Sequence, residues 1–379
     1  MDLTANLAGI WNNGLIYVVP FLFVLTIIVF FHELGHFLVG RWCGIKALAF
    51  SVGFGPELLG FTDRHGTRWK LAAIPLGGYV KFLGDENAAS MPDRSALATM
   101  DEAEREGAFP AKSVGRRAAT VAAGPIANFI LAIVIFAAVA YVDGRVVGDP
   151  VVAKVEANSP AAAAGFEPGD RVVSVDGEKI AYFSDLQKAV SGNDGTPIHV
   201  VVARKGGTEE LTVTPRIETR TDGFGNSFTM PIIGLVADSE AAAFHVEHLT
   251  PVQAIQYGAS QTWFVTTRTV EFMGQVITGR QSAGQIGGPI RIAQVSGQVS
   301  TIGMGALMNL VALLSVSIGL LNLLPVPMLD GGHLLYYAFE AVRGRPLSER
   351  VQEIGFRIGL ALVMLLMIFA FWNDISGLV

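Results

Sequence analysis

Cys43 is the only cysteine in the 379-residue chain, so no internal disulfide can form and no thiolate cluster can hold a metal. Any metal must take histidine and carboxylate ligands. Charge is scarce as well: Asp, Glu, Lys and Arg make up 16% of the residues against 51% hydrophobic, too apolar a balance for an ordinary soluble protein. The net charge of -6 offers no broad basic face, which argues against nucleic-acid partners. The N-terminus lacks a basic start and a small-residue cleavage site, so the first apolar run is expected to be retained. What the chain does have is long uncharged stretches, and two of its seven histidines stand at the end of one of them.

Four segments reach the roughly 20 apolar residues that a bilayer crossing requires. They run from about Leu15 to Val39, from Ala118 to Val142, within Met304 to Leu329, and from about Ile354 to Trp372. Arg41, Lys46, Arg64, Arg68, Lys70, Lys81, Lys112, Arg116 and Arg117 lie between the first two, and Arg343, Arg345 and Arg350 between the last two. The excess of basic residues predicts that both loops are cytoplasmic, with the termini and the long middle segment outside.

The sequence His32-Glu33-Leu34-Gly35-His36 closes the first uncharged run. On a helix its two imidazoles are i and i+4 and share one face, where they can hold one metal ion with Glu33 beside it as general base. Ionisable groups are costly in a membrane unless they serve a function, which weighs against a chance occurrence. Two histidines leave zinc short of the three protein ligands of a hydrolytic site. The end of the third apolar segment, Asn322-Leu323-Leu324-Pro325-Val326-Pro327-Met328-Leu329-Asp330-Gly331-Gly332-His333, supplies a candidate third ligand. The prolines unwind the helix, and Asp330 at that depth needs a partner. His333 competes for the same role but lies beyond the glycines, where it reads as an outer residue.

Between the first two spans, Trp69 to Phe82 reads as two short extended runs around Pro75 and Gly77-Gly78, a hairpin apolar enough to dip into the membrane. A surface hairpin is the alternative. Asp85 to Lys112 is polar and charge-mixed, as a solvated loop is. From Val151 to about Pro215, Asn158-Ser159-Pro160, Pro168-Gly169-Asp170 and Asp176-Gly177 punctuate strands at Arg171 to Val175, Ile198 to Ala203 and Glu210 to Val213, with a helix at Ser184 to Val190. This order resembles a PDZ domain of the bacterial protease-associated type. Such domains bind extended peptide ends by strand addition, and a spacer role is the alternative. Gln261 to Ile277 suits an amphipathic helix, either on the membrane face or packed on the spans.

Taken together, His32-Glu33-Leu34-Gly35-His36, Gly77-Gly78-Tyr79-Val80-Lys81, one PDZ-like domain between spans two and three, and Asn322 through Asp330-Gly331-Gly332 resemble the site-2 protease family of M50-type intramembrane zinc metalloproteases. The likeness is strongest to its regulator-of-sigma-E branch and covers nearly the whole chain. The resemblance implies one Zn2+ on His32, His36 and Asp330, Glu33 as catalytic acid/base, and Asn322 as a substrate-positioning side chain. It also implies that Gly77, Gly78, Tyr79 and Val80 pair with an unwound substrate. The implied substrates are single-pass membrane proteins such as anti-sigma factors, or remnant signal peptides, cut within the bacterial inner membrane in regulated intramembrane proteolysis. The active site would then lie toward the cytoplasmic side and the PDZ-like domain in the periplasm. Well-known members of this family carry two tandem PDZ domains, and this sequence has one. A non-catalytic membrane adaptor that captures protein tails is the alternative function.

The expected architecture is an α-helical polytopic membrane protein of about four transmembrane helices, with a membrane-associated β-hairpin region and an inserted α+β PDZ-like domain. Its boundaries are 1–43 for the first span, 44–117 for the loop with the hairpin at about 69–82, and 118–143 for the second span. The PDZ-like domain takes 144–218, a linker with an amphipathic membrane-surface helix 219–303, and the third span with its broken end 304–333. A cytoplasmic loop at 334–353 and the fourth span with a short tail at 354–379 complete it.

Overall fold

An uncharged run in lipid must pair its backbone groups internally, and a helix does this within one segment. In chain order, a computed structural model gives α1 (Leu3–Trp42), β1 (Ala47–Thr62), β2 (Arg68–Phe82), α2 (Glu102–Gly107) and α3 (Val114–Val142). A stretch of short elements follows: β3 (Arg145–Gly148), β4 (Val152–Val155), α4 (Pro160–Ala164), β5 (Arg171–Val175), β6 (Glu178–Lys179), α5 (Phe183–Ser191), β7 (Ile198–Arg204) and β8 (Gly207–Val213). It continues through β9 (Arg216–Thr221), β10 (Ser227–Ile232), β11 (Leu235–Ala237) and β12 (Phe244–Glu247). Helices α6 (Pro251–Ile277), α7 (Pro289–Ile302), α8 (Met304–Asn322), α9 (Asp330–Arg343) and α10 (Glu349–Ser376) end the chain. The structure describes residues 3–84, 100–193, 195–221, 227–237, 244–279, 284 and 287–376. Among these, four helices are long and apolar enough to cross a membrane: Gly14–Trp42, Val114–Val142, Met304–Asn322 and Arg350–Ser376.

The chain divides into two compact units, Met1–Val139 with Ala254–Thr269 and Ile286–Val379, and Ala140–Gln253 with Val270–Gln285. In the first unit, Val24 and Ile28 of α1, Leu131 and Ile135 of α3, and Val311 and Val316 of α8 form one buried core. The α1 and α3 backbones meet closely at the motif: a Cβ on Gly35 would lie 2.3 Å from the Ala123 carbonyl oxygen, so only glycine fits.

Beside α1, β1 and β2 form a strongly bent antiparallel pair. Phe50 pairs with both Val80 and Trp69, and Trp69 pairs in turn with Phe61. The first half of β1 therefore runs between the two halves of β2. This corrects the expected hairpin over 69–82: its two extended runs do not pair with each other but flank Ala49–Val52. The sheet is fixed to α1 by aromatic packing, with Phe37 and Phe50 rings 5.6 Å apart and Phe50 and Trp69 rings 4.4 Å apart.

Other expectations for the first unit also need correction. Of the loop expected from Asp85 to Lys112, residues 85–99 lie outside the described residues, but α2 is a helix capped by Asp101, and the turn after it buries Phe109. Helix α6 is longer than Gln261–Ile277 and is not simply laid on a membrane face. It buries Ala254, Gly258 and Thr262, and a Cβ on Gly258 would lie 2.4 Å from the Ile133 carbonyl oxygen of α3. Before the third span α7 stands as a separate helix, its first turn capped by Asp374 of α10, which accepts from the N–H groups of Gly288, Ile290 and Arg291. Most of the loop expected at 334–353 is helical in α9, which ends at Gly344 in the left-handed conformation that a helix stop favours.

In the second unit β6-β5-β7-β8 form a four-stranded sheet, with Asp176-Gly177 as the tight turn between β5 and β6. Val152, Val172, Leu186, Val200, Val202 and Val213 fill its core. Buried Asp170 accepts from Arg204 Nε at 2.7 Å and Nη2 at 2.8 Å. The strands run beyond the expected end at residue 218: β11 pairs with β4 and β12 with β3, so residues up to Glu247 build this unit rather than a linker. Strands of three or four residues that pair with partners distant in sequence leave little periodic signal to read.

Candidate active site

One helical turn on α1 brings His32 and His36 together, with their Nε2 atoms 3.2 Å apart. Asp330, in the first turn of α9, places Oδ2 3.2 Å from His32 Nε2 and 3.6 Å from His36 Nε2. His36 Nδ1 lies 2.9 Å from the Thr120 carbonyl oxygen of α3. A carbonyl only accepts, so Nδ1 carries the ring proton and Nε2 presents a lone pair to the cluster. The side-chain amide of Asn128, one further turn pair along α3, sits 3.2 Å from His32 Nδ1.

Three acceptor atoms facing one another repel unless a cation lies among them. Asp330 Oδ2 is buried and accepts no hydrogen bond, although two imidazoles are beside it. The separations of 3.2, 3.2 and 3.6 Å are close to the edges of a tetrahedron around zinc, about 3.3–3.6 Å for bonds of about 2.0–2.2 Å. The residues present therefore fit a zinc ion, and among the described residues these three form the group able to hold one.

The chain puts Asp330 there through a broken helix end. Pro325 and Pro327 cannot continue α8, and Met328 takes a φ of 97°, a strained value for a side chain of its size. Bare backbone is needed at the next step: Cβ atoms on Gly331 and Gly332 would lie 2.3 Å from the Leu323 and Val326 carbonyl oxygens. Helix α9 is then tied to α3 by a buried ion pair, with Arg117 Nη2 2.6 Å from Glu340 Oε1 and Nη1 3.2 Å from Oε2. Arg117 also lies over the Tyr337 ring, 5.0 Å from its centroid.

A cavity of about 190 Å³ opens at the cluster and is lined by Glu33, Gly78, Tyr79, Val80, Asn322 and His333, among others. Gly78 abuts Glu33, since a Cβ there would lie 3.0 Å from Glu33 Cγ and 2.8 Å from the Ser51 carbonyl oxygen. Gly77 is outside this lining. It has a φ of 123° and backs onto the Phe54 ring. His333 forms part of the wall, with its ring edge-on to Tyr336 at 6.4 Å, and does not join the three-atom cluster.

Thr120, Gly124 and Asn128 of α3 form the face of the site that sequence reasoning missed. A Cβ on Gly124 would lie 2.2 Å from His36 Nε2. The signal was a spacing of four residues between polar or small positions in an otherwise apolar span, which points to one helix face turned inward.

Residues 20–366 match the model of peptidase family M50. The chain is 56% identical to "Putative zinc metalloprotease Atu1380" of Agrobacterium fabrum over 364 residues, 96% of each chain. It is 41% identical to metalloprotease MmpA of Caulobacter vibrioides over 384 aligned positions, again 96% of each. Among solved structures it is similar to the PDZ domain of an SdrC-like protein of Listeria monocytogenes, at 18% identity and a TM-score of 0.19, covering 23% of this chain and 84% of that one. A family match over most of the sequence, together with a histidine–histidine–aspartate cluster fit for zinc, places this chain in peptidase family M50, the site-2 protease family of zinc metalloproteases.

Proposed function

We propose that this protein is an intramembrane endopeptidase that cuts transmembrane segments of single-pass proteins, anti-sigma factors or remnant signal peptides among them. One observation carries the reading: His32, His36 and Asp330 converge on one point in a chain whose ligand-bearing helix α1 is itself apolar enough to cross a bilayer. One zinc ion held by these residues would activate a water and polarise the scissile carbonyl. Glu33, lining the same cavity, takes a proton from the attacking water and returns it to the leaving amine. Asn322, which lines the same cavity, offers an amide to the substrate backbone. A transmembrane helix must unwind before its carbonyls are accessible, and the 78–80 edge of β2 beside Glu33 can give the freed strand new partners.

The second unit has a groove of about 500 Å³ between α5 and the β10–β11 segment, lined by Phe183, Leu186, Lys188, Ile233 and Leu235. A groove between a helix and a strand segment suits an extended protein tail, and we assign it that role on the periplasmic side, with the zinc site toward the cytoplasmic side of the bacterial inner membrane. The test is co-expression with candidate single-pass proteins. Replacing Glu33 with Gln should leave zinc bound and lower cleavage by roughly 10²–10⁴-fold. Full cleavage by that variant would sink the proposal.

A further inference from the structure

We propose that Asn128 is a positioning residue for the metal centre: its amide oxygen accepts from His32 Nδ1–H and so aims the His32 Nε2 lone pair at the metal. The inference rests on the zinc reading above. Asn128 is fully buried, and its amide is the group 3.2 Å from His32 Nδ1. With the amide nitrogen turned toward the ring, Oδ1 is left buried with no partner. Nitrogen and oxygen of an amide have nearly the same shape, so the hydrogen-bond chemistry decides which one faces the ring.

That chemistry is constrained from the other side. His36 Nε2 is an acceptor, because the Thr120 carbonyl takes the proton on Nδ1, and Asp330 Oδ2 is an acceptor too. If His32 is to contribute the third lone pair, its proton must be on Nδ1, and the group opposite must accept it. Asn128 Oδ1 can do this. Helix α8 holds the backbone at Asn128 in place, since Ser315 Oγ donates to the Asn128 carbonyl at 2.9 Å and a Cβ on Gly319 would lie 3.1 Å from Asn128 Cβ. The two histidines are thus oriented by two residues of one helix, Thr120 through its backbone and Asn128 through its side chain.

The test uses full-length protein in detergent and measures Zn2+ affinity by chelator competition for wild type, Asn128→Asp, Asn128→Ala and Asn128→Leu, with thermal unfolding of the metal-free forms alongside. An aspartate keeps the acceptor, so Asn128→Asp should bind zinc close to wild type. The alanine and leucine variants should bind about 10–100-fold more weakly, as loss of an outer partner of a metal histidine typically does. The metal-free forms of the aspartate and alanine variants should unfold within a few degrees of each other, which separates metal orientation from packing. Wild-type affinity in the alanine variant, or equal weakening in the aspartate and alanine variants, overturns the inference while leaving the zinc site standing. A wild-type protein that binds no zinc overturns both.

Discussion

Asp330 is the one acid among the three converging atoms, and its charge offsets the cation that the cluster fits. Asp330→Asn keeps the shape and removes the charge, so zinc affinity should fall by more than the roughly 100-fold upper range of an outer-partner loss, read by chelator competition. Gly124 faces the same point from α3. Gly124→Ala would put a methyl group 2.2 Å from His36 Nε2, so it should release zinc and abolish cleavage, with both readouts failing together. In the second unit, hydrogen bonding from Arg204 holds the Asp170 carboxyl below the usual carboxylate range. A carboxyl whose folded value is lowered contributes stability above its unfolded value of about 3.9 and loses it as pH falls through the folded value. Hydrogen-exchange protection at β5 and β7, measured relative to the intrinsic rate at each pH, should therefore fall on acidification below about pH 4 in the wild type. Asp170→Asn should already exchange faster at neutral pH and lose most of that acid dependence.

At the scale of elements, legibility followed the range of the signal. Helix α1 and its motif were readable because hydrophobic length and an i, i+4 histidine pair are local. The pairing of Phe50 with both Val80 and Trp69 was not, since a strand that serves two partners is defined by contacts distant in sequence. Helix α9 was read mostly as loop because Gly331, Gly332 and Tyr337 are buried by neighbours the sequence does not declare. The role of α3 escaped for the same reason: Thr120 acts through its backbone carbonyl, which carries no residue signature. Asp374 illustrates a long-range cap, joining α10 to the first turn of α7. Asp374→Ala strands three N–H groups, one buried and two part-buried, and loss of such a cap costs about 1–2 kcal/mol. Faster hydrogen exchange confined to residues 288–292 and the facing end of α10 is the expected result.

On the scale of the whole molecule, four apolar helices and family M50 point to an inner-membrane protein. The protein should stay with the membrane pellet after washes with high salt and alkaline carbonate. Release by either treatment would contradict a spanning arrangement. The two units also divide the candidate sites: the histidine–histidine–aspartate cluster, Glu33 and Asn322 belong to the first, and the groove of about 500 Å³ to the second.

The three side chains that fit a zinc ion come from distant parts of the chain, His32 and His36 on α1 and Asp330 on α9. Synthesis therefore delivers two thirds of the candidate metal site first and withholds the last part until residue 330 has been made. On the function proposed above, a nascent chain would enter the bilayer unable to cut the membrane proteins beside it. A chain stopped anywhere before residue 330 is a protease precursor that no amount of zinc completes, and supplying residues 304–379 as a separate polypeptide should restore metal binding if that fragment inserts beside it.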